Sequence, residues 1–251
     1  SYSPFRKVAA LNQRRCVINE LIQKGDHYEL DLADFEAKLS EVRMFILCSP
    51  HNPTSKVFSP QELEAMLSLC RKHQVLVIAD EIHADWVYGT MTAASALDPG
   101  VMTILSPSKT FNLQGMQCSF LFIPDPAQAQ AVKRECDALA YMNNQTFSHA
   151  AALAAYSEEG AAWLAEAKAY VQENARVFSR LLSAAGVPLK PMRLESTFLL
   201  WVDCRGCCKN DADVVDLFEN RCHLYGSTGS HYQTDFPFIR LNIAVPRSVI
   251  E

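Results

Sequence analysis

The sequence has no long hydrophobic run, since every apolar stretch in its 251 residues is shorter than the about 20 residues that span a membrane. Positive charge is also scarce: 23 lysines and arginines stand against 28 aspartates and glutamates, for a net charge of −5. Nucleic-acid binders typically carry a basic patch or stripe, which this balance does not favour. The first residues lack the charged-then-apolar order of a secretory signal peptide. We therefore expect a protein that binds neither nucleic acid nor a membrane.

The nine cysteines form no regular framework, since their number is odd and most stand singly on apolar segments. This pattern indicates a reduced, cytoplasmic protein whose thiols serve as small core residues. The exception is the segment Cys204-Arg-Gly-Cys207-Cys208, with Cys222 further along. A C-x-x-C pair supplies two metal ligands, whereas a site needs three or four that converge. We favour a turn with incidental thiols over a zinc or redox centre, and we predict no metal site.

Short apolar runs alternate with helical segments through the first half of the chain. The runs predict buried strands, which we place at 44–48, 75–79, 102–105 and 119–123. Ser59-Pro60-Gln61-Glu62 predicts a helix start, with Ser59 as the N-cap and Glu62 closing a capping box. Near-continuous apolar strands separated by helices predict an α/β protein. Its sheet should be mostly parallel, with helices on both faces.

The second half of the chain has a different character. Alanine-rich segments predict helices at 127–141 and 161–185, the second ending before Gly186-Val187-Pro188. A strand at 197–202, a helix at 211–222 and a strand at 238–245 follow. We therefore predict a large domain over residues 1–185 and a smaller α+β domain over residues 186–251.

Polar residues cluster where the predicted strands end. Asn52 follows the first strand, Asp80 to His83 follow the second, and Ser106 to Lys109 follow the third. In α/β sheets, ligands bind outside the carboxyl ends of the strands. Taken alone, Lys109 is most simply a solvated lysine. Three polar clusters at strand ends favour a functional lysine, and a lysine that attacks a carbonyl needs a setting that lowers its pKa.

A lysine of this kind points to pyridoxal phosphate (PLP), with which it would form a Schiff base. Asp80 could pair with the pyridine nitrogen, although an Asp-Glu pair at a strand end is also compatible with simple solvation. Asn52 could donate to the phenolic oxygen, and Ser106 could hold the phosphate. Arg240, flanked by apolar residues, could clamp the carboxylate of an amino-acid substrate.

Four segments, in this order and over nearly the whole chain, resemble the fold-type I PLP enzymes of the class I/II aminotransferase superfamily. They are Leu47-Cys-Ser-Pro-His-Asn-Pro-Thr54, Asp80-Glu-Ile-His-Ala-Asp85, Ser106-Pro-Ser-Lys-Thr-Phe-Asn112, and Arg240-Leu-Asn-Ile-Ala244 with Pro246-Arg-Ser248. The ordinary aminotransferase pattern has tyrosine where His83 stands. The sequence is in this respect similar to the cystathionine β-lyase branch, typified by the bacterial MalY and PatB proteins.

The resemblance implies a PLP-dependent transferase-like fold and a role for each matching residue around the cofactor. Lys109 would be the Schiff-base lysine and the catalytic residue. Asp80 would pair with the pyridine nitrogen and Asn52 would bond the phenolic oxygen. Ser106 and Ser108 would reach the phosphate.

The resemblance assigns three further residues. Tyr2 matches the aromatic residue that stacks on the cofactor ring, and Arg240 matches the residue that holds the substrate carboxylate. For His83, a hydrogen bond near the cofactor and a purely structural bond both stay open. The partners implied are a small amino-acid substrate and, in the full-length form, a second copy in a homodimer.

The function that the resemblance implies is a PLP-dependent carbon–sulfur β-lyase, which would cleave cystathionine or cysteine-type amino acids to a thiol, pyruvate and ammonia. An aminotransferase would use the same residues, so the sequence separates the two poorly. A non-catalytic regulatory protein or fragment of the same fold is a third interpretation, which an intact set of Asn52, Asp80, Lys109 and Arg240 disfavours.

The sequence departs from the family pattern in two ways. Ser55 stands where the family loop Asn-Pro-Thr-Gly has glycine, and a positive φ at that position would add strain of about 1 kcal/mol or more. The family also has a long region before Tyr2, with a phosphate-binding loop at a helix N-terminus, and a final helix after Ser248. We therefore expect the chain to be a central and C-terminal fragment.

Overall fold

The computed structural model describes residues 2–141 and 146–251, which form two compact units. Residues Asp31–Ser49 and Phe58–Ala165 form one, here called the parallel-sheet unit. Residues Ser1–Leu30, Pro50–Val57 and Glu166–Glu251 form the other, here called the antiparallel-sheet unit. This division differs from the predicted domains 1–185 and 186–251, because the first 30 residues group with the C-terminal part. The predicted domain boundary stays a prediction.

Ten strands and ten α-helices lie in the described ranges. The strands are β1 (Leu21–Lys24), β2 (His27–Leu30), β3 (Met44–Cys48), β4 (Leu76–Asp80), β5 (Met102–Leu105), β6 (Phe120–Phe122), β7 (Lys190–Pro191), β8 (Leu199–Asp203), β9 (Ser227–Thr228) and β10 (Phe238–Asn242). The helices are α1 (Pro4–Leu11), α2 (Leu32–Leu39), α3 (Pro60–Lys72), α4 (Ala94–Leu97), α5 (Pro107–Thr110), α6 (Pro126–Ala138), α7 (Thr146–Ala155), α8 (Glu158–Ala184), α9 (Asp211–Val215) and α10 (Arg247–Ile250). None of these helices is long and apolar enough to cross a bilayer.

The sheet of the parallel-sheet unit has the order β3-β4-β5-β6. β3, β4 and β5 run parallel, with Cys48 opposite Asp80 and Asp80 opposite Ile104. The predicted α/β class with a mostly parallel sheet is therefore confirmed. The fourth predicted strand also forms, but β6 runs antiparallel to β5.

Helix α3 begins as its sequence predicts. Ser59 accepts a hydrogen bond from the backbone N–H of Glu62 (3.2 Å), and the Glu62 carboxylate accepts one from the N–H of Ser59 (2.8 Å). These two bonds satisfy donors that a helix start leaves open. The predicted apolar face of α3 is buried (Leu63, Met66, Leu67 and Cys70) and supplies part of the core of this unit.

The antiparallel-sheet unit contains a second sheet of order β7-β8-β10-β9, in which all three pairings are antiparallel. Every residue of β8 is buried. Trp201 stacks on Phe238 with ring centroids 4.9 Å apart, and its indole N–H donates to the hydroxyl of Tyr28 (3.1 Å). The hairpin of β1 and β2 supplies Tyr28 and was not predicted from the sequence.

Several predicted elements end differently from expectation, and the helix predicted at 127–141 ends at Ala138. The helix predicted at 211–222 is an α-helix only over α9, and a π-helical turn follows at Asp216–Arg221. The strand predicted at 238–245 ends at Asn242 because the carbonyls beyond it have other partners. The buried amide of Asn174 donates to the carbonyl oxygens of Ile243 and Val245, each at 2.9 Å.

Candidate active site

The parallel sheet brings polar residues together at its carboxyl edge. Asp80 is the last residue of β4, and Ser106 directly follows β5. The register places Asp80 beside Cys48 of β3 and Ile104 of β5. Ends of parallel strands in this arrangement form the ligand-binding edge of α/β proteins.

Asp80 is a partly buried carboxylate whose charge interacts with that of Lys109. Its Oδ1 accepts the backbone N–H of Ile82 at 3.1 Å. Burial raises the pKa of Asp80, while the Ile82 N–H and the positive charge of Lys109 oppose that rise. The turn that carries Lys109 follows β5, the strand paired with β4, so both groups lie at the same edge of the sheet.

Lys109 lies in α5, a single turn of four residues. Ser106 caps this turn, since its hydroxyl oxygen accepts the backbone N–H of Ser108 at 3.0 Å. Pro107 occupies the first helical position, where its missing N–H costs nothing. The local sequence Ser-Pro-Ser-Lys thus builds the turn that carries the lysine.

The hydroxyls of Ser106 and Ser108 have partners within the chain. Ser106 Oγ lies 2.5 Å from the carbonyl oxygen of Cys118 and 2.7 Å from Ser108 Oγ. Ser108 Oγ lies 3.4 Å from the same carbonyl. Ser106 is almost fully buried, whereas Ser108 is only partly so. Their predicted contact with a phosphate stays a prediction. Ser108 is better suited to it than Ser106, because its bond to the Cys118 carbonyl is longer and its side chain is less buried.

His83 is buried in the turn that follows β4. The N–H of Ala84 donates to the carbonyl of Glu81 at 2.8 Å, and the N–H of Trp86 donates to the carbonyl of His83 at 2.9 Å. These bonds fix the backbone on either side of the imidazole. The two roles considered for His83, at the cofactor or purely structural, both stay predictions.

Several side chains around this edge had no role in the sequence analysis. The buried Glu81 carboxylate accepts the N–H of Ala94 at 2.8 Å, and burial raises its pKa. Asp85 accepts from the hydroxyls of Thr110 (3.1 Å) and Tyr156 (3.3 Å). Glu81, Asp85 and Thr110 lie inside the family-like segments, which is the signal that could have identified them. Tyr156 lies outside those segments.

The antiparallel-sheet unit holds the other candidate residues. Arg240, on β10, donates from Nη1 to the side-chain oxygen of Asn52 at 2.8 Å. Its guanidinium lies 5.2 Å from the centre of the Tyr232 ring. Burial lowers the pKa of Arg240, and the hydroxyls of Tyr232 and Tyr2 oppose that effect. The structure therefore brings Asn52, Arg240 and Tyr2 together.

One hydrogen-bond donor of Arg240 has no partner within the described part of the chain. Its Nε is buried and finds no hydrogen-bond partner there. A buried unpaired donor costs about 1 to 3 kcal/mol, and more in a charged group. This position is therefore suited to an anionic ligand, as expected for a substrate carboxylate.

Tyr2 lies next to the start of α1, and its ring meets that of Phe5 edge-on at 5.5 Å. Its side chain is partly exposed. The predicted stacking of Tyr2 on a cofactor ring stays a prediction.

Ser55 has a left-handed backbone conformation with φ +55°, which is the condition under which serine at this position adds strain. Its hydroxyl donates to the carbonyl of Arg193 (2.9 Å) and accepts the N–H of Glu195 (3.3 Å). These bonds offset the strain of a non-glycine residue at positive φ.

The cysteine segment 204–208 packs as a turn. Cys204 and Cys208 are buried, and the Sγ atoms of Cys207 and Cys208 lie 3.8 Å apart. Burial raises the pKa of Cys208 to about 12, so its thiol stays protonated at neutral pH. Among residues 2–141 and 146–251, no three side chains of the usual metal-binding types converge.

The whole chain, residues 1–251, matches the family model for aminotransferase class I and II. The chain therefore belongs to this family. It is 32% identical to the cystathionine β-lyase PatB of Bacillus subtilis over 96% of its own length and 64% of that protein. It is 30% identical to the protein MalY of Escherichia coli over 100% of its own length and 66% of that protein. The chain thus spans about two thirds of the relatives it matches.

Solved structures agree with this placement. Cystalysin from Treponema denticola, which contains pyridoxal 5′-phosphate, matches 99% of this chain and 65% of its own with a TM-score of 0.94 at 27% identity. The PLP-bound C–S lyase from Staphylococcus hominis matches 100% of this chain and 66% of its own with a TM-score of 0.90 at 26% identity. The predicted PLP-dependent transferase-like fold and the similarity to the lyase branch are confirmed.

Proposed function

We propose that the chain is a PLP-dependent carbon–sulfur β-lyase, which cleaves cystathionine or cysteine-type amino acids to a thiol, pyruvate and ammonia. The observation that carries the proposal is that Asp80 and the turn of Lys109 lie at the carboxyl ends of adjacent parallel strands, where the charge of Lys109 acts on the Asp80 carboxyl. Similarity to proteins named cystathionine β-lyase supports the choice of reaction.

The residues at the sheet edge fit the chemical groups of PLP. Lys109 offers the amine that would hold the aldehyde carbon, and Asp80 offers a semi-buried carboxylate for the pyridine nitrogen. Ser108, with Ser106, offers hydroxyl donors for the phosphate. When bound, PLP supplies an electron-withdrawing ring that stabilises negative charge at the substrate Cα.

Lys109 is the proposed base of the reaction. Its Nζ takes the proton from the substrate Cα, which requires the amine to be uncharged when substrate is in place. A substrate with sulfur on its β-carbon then loses a thiolate. Asp80, as a carboxylate, would stabilise the protonated pyridine nitrogen of PLP.

Asn52 and Arg240 are proposed to orient the cofactor and the substrate. Arg240 engages the oxygen of the Asn52 amide, so the Nδ2 group of that amide is the end that can donate to the phenolic oxygen of PLP. The guanidinium of Arg240 would bind the substrate carboxylate, and its buried Nε supports that role. Tyr2 is proposed to stack on the cofactor ring.

An aminotransferase is the second candidate function. The chain is 36% identical over 115 residues, 41% of its length, to a human protein named kynurenine–oxoglutarate transaminase 1. The same lysine and carboxylate would serve that reaction. Release of pyruvate and thiol from cystathionine with no keto-acid acceptor present would support the lyase, whereas a strict need for an acceptor would support the aminotransferase.

We also propose a homodimer in a reducing, cytoplasmic setting. Large apolar side chains on and beside α6 and α7 are exposed, as at an interface (Leu139, Tyr141, Phe147 and Leu153). The nine cysteines, all within the described ranges, form no disulfide. Light scattering at several concentrations measures the mass in solution.

The test of the cofactor site uses the full chain with added PLP, borohydride reduction and peptide mapping. We expect selective labelling of Lys109. Lys109→Ala should abolish both the label and pyruvate release, whereas Lys133→Ala, at an exposed ion pair with Asp137, should change neither. Turnover that survives Lys109→Ala, or label spread evenly over many lysines, would contradict the assignment.

A further inference from the structure

The helical turn that carries Lys109 is too short to be stable on its own. α5 has four residues and closes on itself through the N–H of Phe111 and the carbonyl of Pro107 at 2.9 Å. Isolated helical turns of this length are unstable in water. Contacts from outside α5 must therefore decide how it is oriented.

On the N-terminal side of Lys109, the capping bond of Ser106 supplies such a contact. On the C-terminal side, Thr110 is fully buried and its hydroxyl donates to Oδ2 of Asp85 at 3.1 Å. Asp85 itself is exposed, but the Thr110 hydroxyl is not, so loss of this bond would leave a buried donor without its carboxylate partner. The lysine is thus held from both sides.

A second donor reaches the same carboxylate oxygen. The hydroxyl of Tyr156, at the end of α7, lies 3.3 Å from Oδ2 of Asp85. Burial, reinforced by the charge of Asp85, raises the pKa of Tyr156 to about 12, so the hydroxyl keeps its proton at neutral pH. The Tyr156 ring also meets that of Phe111 edge-on, with centroids 5.4 Å apart.

Asp85 stands five positions after Asp80 along the chain. It therefore connects the segment that bears the candidate cofactor carboxylate to the turn that bears the candidate cofactor lysine. In the segment Asp80-Glu-Ile-His-Ala-Asp85, Asp80 ends β4 and Asp85 lies in the turn that follows, where the N–H of Trp86 donates to the carbonyl of His83.

We propose that Asp85 is a positioning residue, which holds the turn of Lys109 through the Thr110 hydroxyl and uses Tyr156 as a second donor to fix its own carboxylate. The functional meaning of this arrangement rests on the proposed role of Lys109. The proposal also predicts that this arrangement keeps the Lys109 amine near Asp80. That prediction can be tested without cofactor.

The measurement is trace acetylation of the full chain with acetic anhydride at neutral pH, with the rate at each lysine read by mass spectrometry. The exposed Lys133 serves as the internal reference. Thr110→Val removes the hydroxyl and keeps the volume. We expect it to raise the rate at Lys109 relative to Lys133 by about threefold or more, because the released amine leaves Asp80 and reaches solvent.

Two variants separate positioning from simple packing. Thr110→Ser restores the hydroxyl and should return the Lys109 rate to within about twofold of the original chain. Thr103 is a buried threonine on β5 whose hydroxyl has no hydrogen-bond partner in the described ranges. Thr103→Val should therefore leave the Lys109 rate unchanged. Equal rates in Thr110→Val and Thr103→Val would overturn the proposal.

Tyr156→Phe gives a second, milder test at a half-exposed side chain. It removes one of the two donors to Asp85, so we expect a smaller increase at Lys109 in the same direction. If Thr110→Val does not fold, as judged by circular dichroism, this variant decides, and an unchanged rate would overturn the proposal.

PLP labelling in the same variants keeps this proposal distinct from the proposed function. A chain that takes no PLP at Lys109, yet shows the expected acetylation pattern, supports positioning and contradicts the function. A chain that takes PLP at Lys109 but shows no effect of Thr110→Val supports the function and contradicts positioning.

Discussion

Ser55 shows how a single residue can combine strain with useful contacts. Its φ of +55° is a conformation that glycine adopts at little cost and serine does not. Its side chain bonds to the backbone of Arg193 and Glu195, and its carbonyl accepts the hydroxyl of Ser196 at 2.7 Å. The contacts join two separate segments of the antiparallel-sheet unit. The hydroxyl of Ser55 therefore stabilises the fold, although the backbone conformation at this position is unfavourable for serine.

Substitution at Ser55 should separate these two effects. Ser55→Ala keeps the strain and loses both side-chain bonds, so we expect a loss of about 1 to 3 kcal/mol in the free energy of unfolding. Ser55→Gly loses the same bonds but relieves the strain, and should be more stable than the alanine variant by about 1 kcal/mol. Urea unfolding measures both values. An alanine variant as stable as the glycine variant would show that the positive φ costs nothing.

At the scale of elements, the helix starts follow local side-chain chemistry. Five N-caps accept a backbone N–H from within the first helical turn, and each belongs to the residue types that favour this position (Asp31, Ser59, Ser106, Asp125 and Asn210). Among these five caps, that of α3 is reinforced by a reciprocal bond, from the N–H of Ser59 to Glu62. This helix also carries the core residues that support β4, the strand that ends at Asp80.

Removal of that cap should weaken the parallel-sheet unit. Ser59→Ala eliminates one half of the capping box, and we expect it to lower the free energy of unfolding by about 1 kcal/mol. Ser183→Ala, at an exposed position within α8, serves as the matched control and should change stability by less than about 0.5 kcal/mol. Equal effects of the two substitutions in urea unfolding would argue against a contribution from the cap.

At the scale of the whole molecule, buried carboxyl groups couple folding to pH. Burial raises the pKa of both Asp80 and Glu81, which lie side by side at the end of β4. A carboxyl with a raised pKa in the folded state binds its proton more tightly there than in the unfolded chain. Stability from such a group is therefore lost as pH rises from its ordinary pKa through its folded-state pKa.

Glu81→Gln should remove this dependence while it keeps an oxygen to accept the Ala94 N–H. Above the ordinary glutamate pKa of 4.5, the original chain loses stability as the folded carboxyl ionises. We expect the stability of Glu81→Gln relative to the original chain to increase between about pH 4 and about pH 8. Denaturant unfolding at both pH values measures the difference, with the exposed Glu166→Gln as control. A relative stability that falls with pH would have the wrong sign.

The sequence predicted the elements of the parallel-sheet unit well because apolar runs and caps are local signals. It placed β3 and β5 at their observed limits, and the start of α3 at its observed residue. It did not predict that β6 would run antiparallel to β5, since strand direction depends on the path of the chain between strands. It also missed the carboxylate of Asp85, whose partners Thr110 and Tyr156 lie 25 and 71 residues away.

The sequence by itself determined the family, the α/β class and the identity of the candidate lysine and carboxylate, because these depend on residue type and order along the chain. Only the tertiary structure decided what surrounds them. It showed that Asp80 and the turn of Lys109 lie at one edge of the sheet, that Asn52 is bonded to Arg240, and that Thr110 is bonded to Asp85. These contacts join residues that are far apart in the chain, so their existence depends on packing and on the burial of polar groups that must find partners.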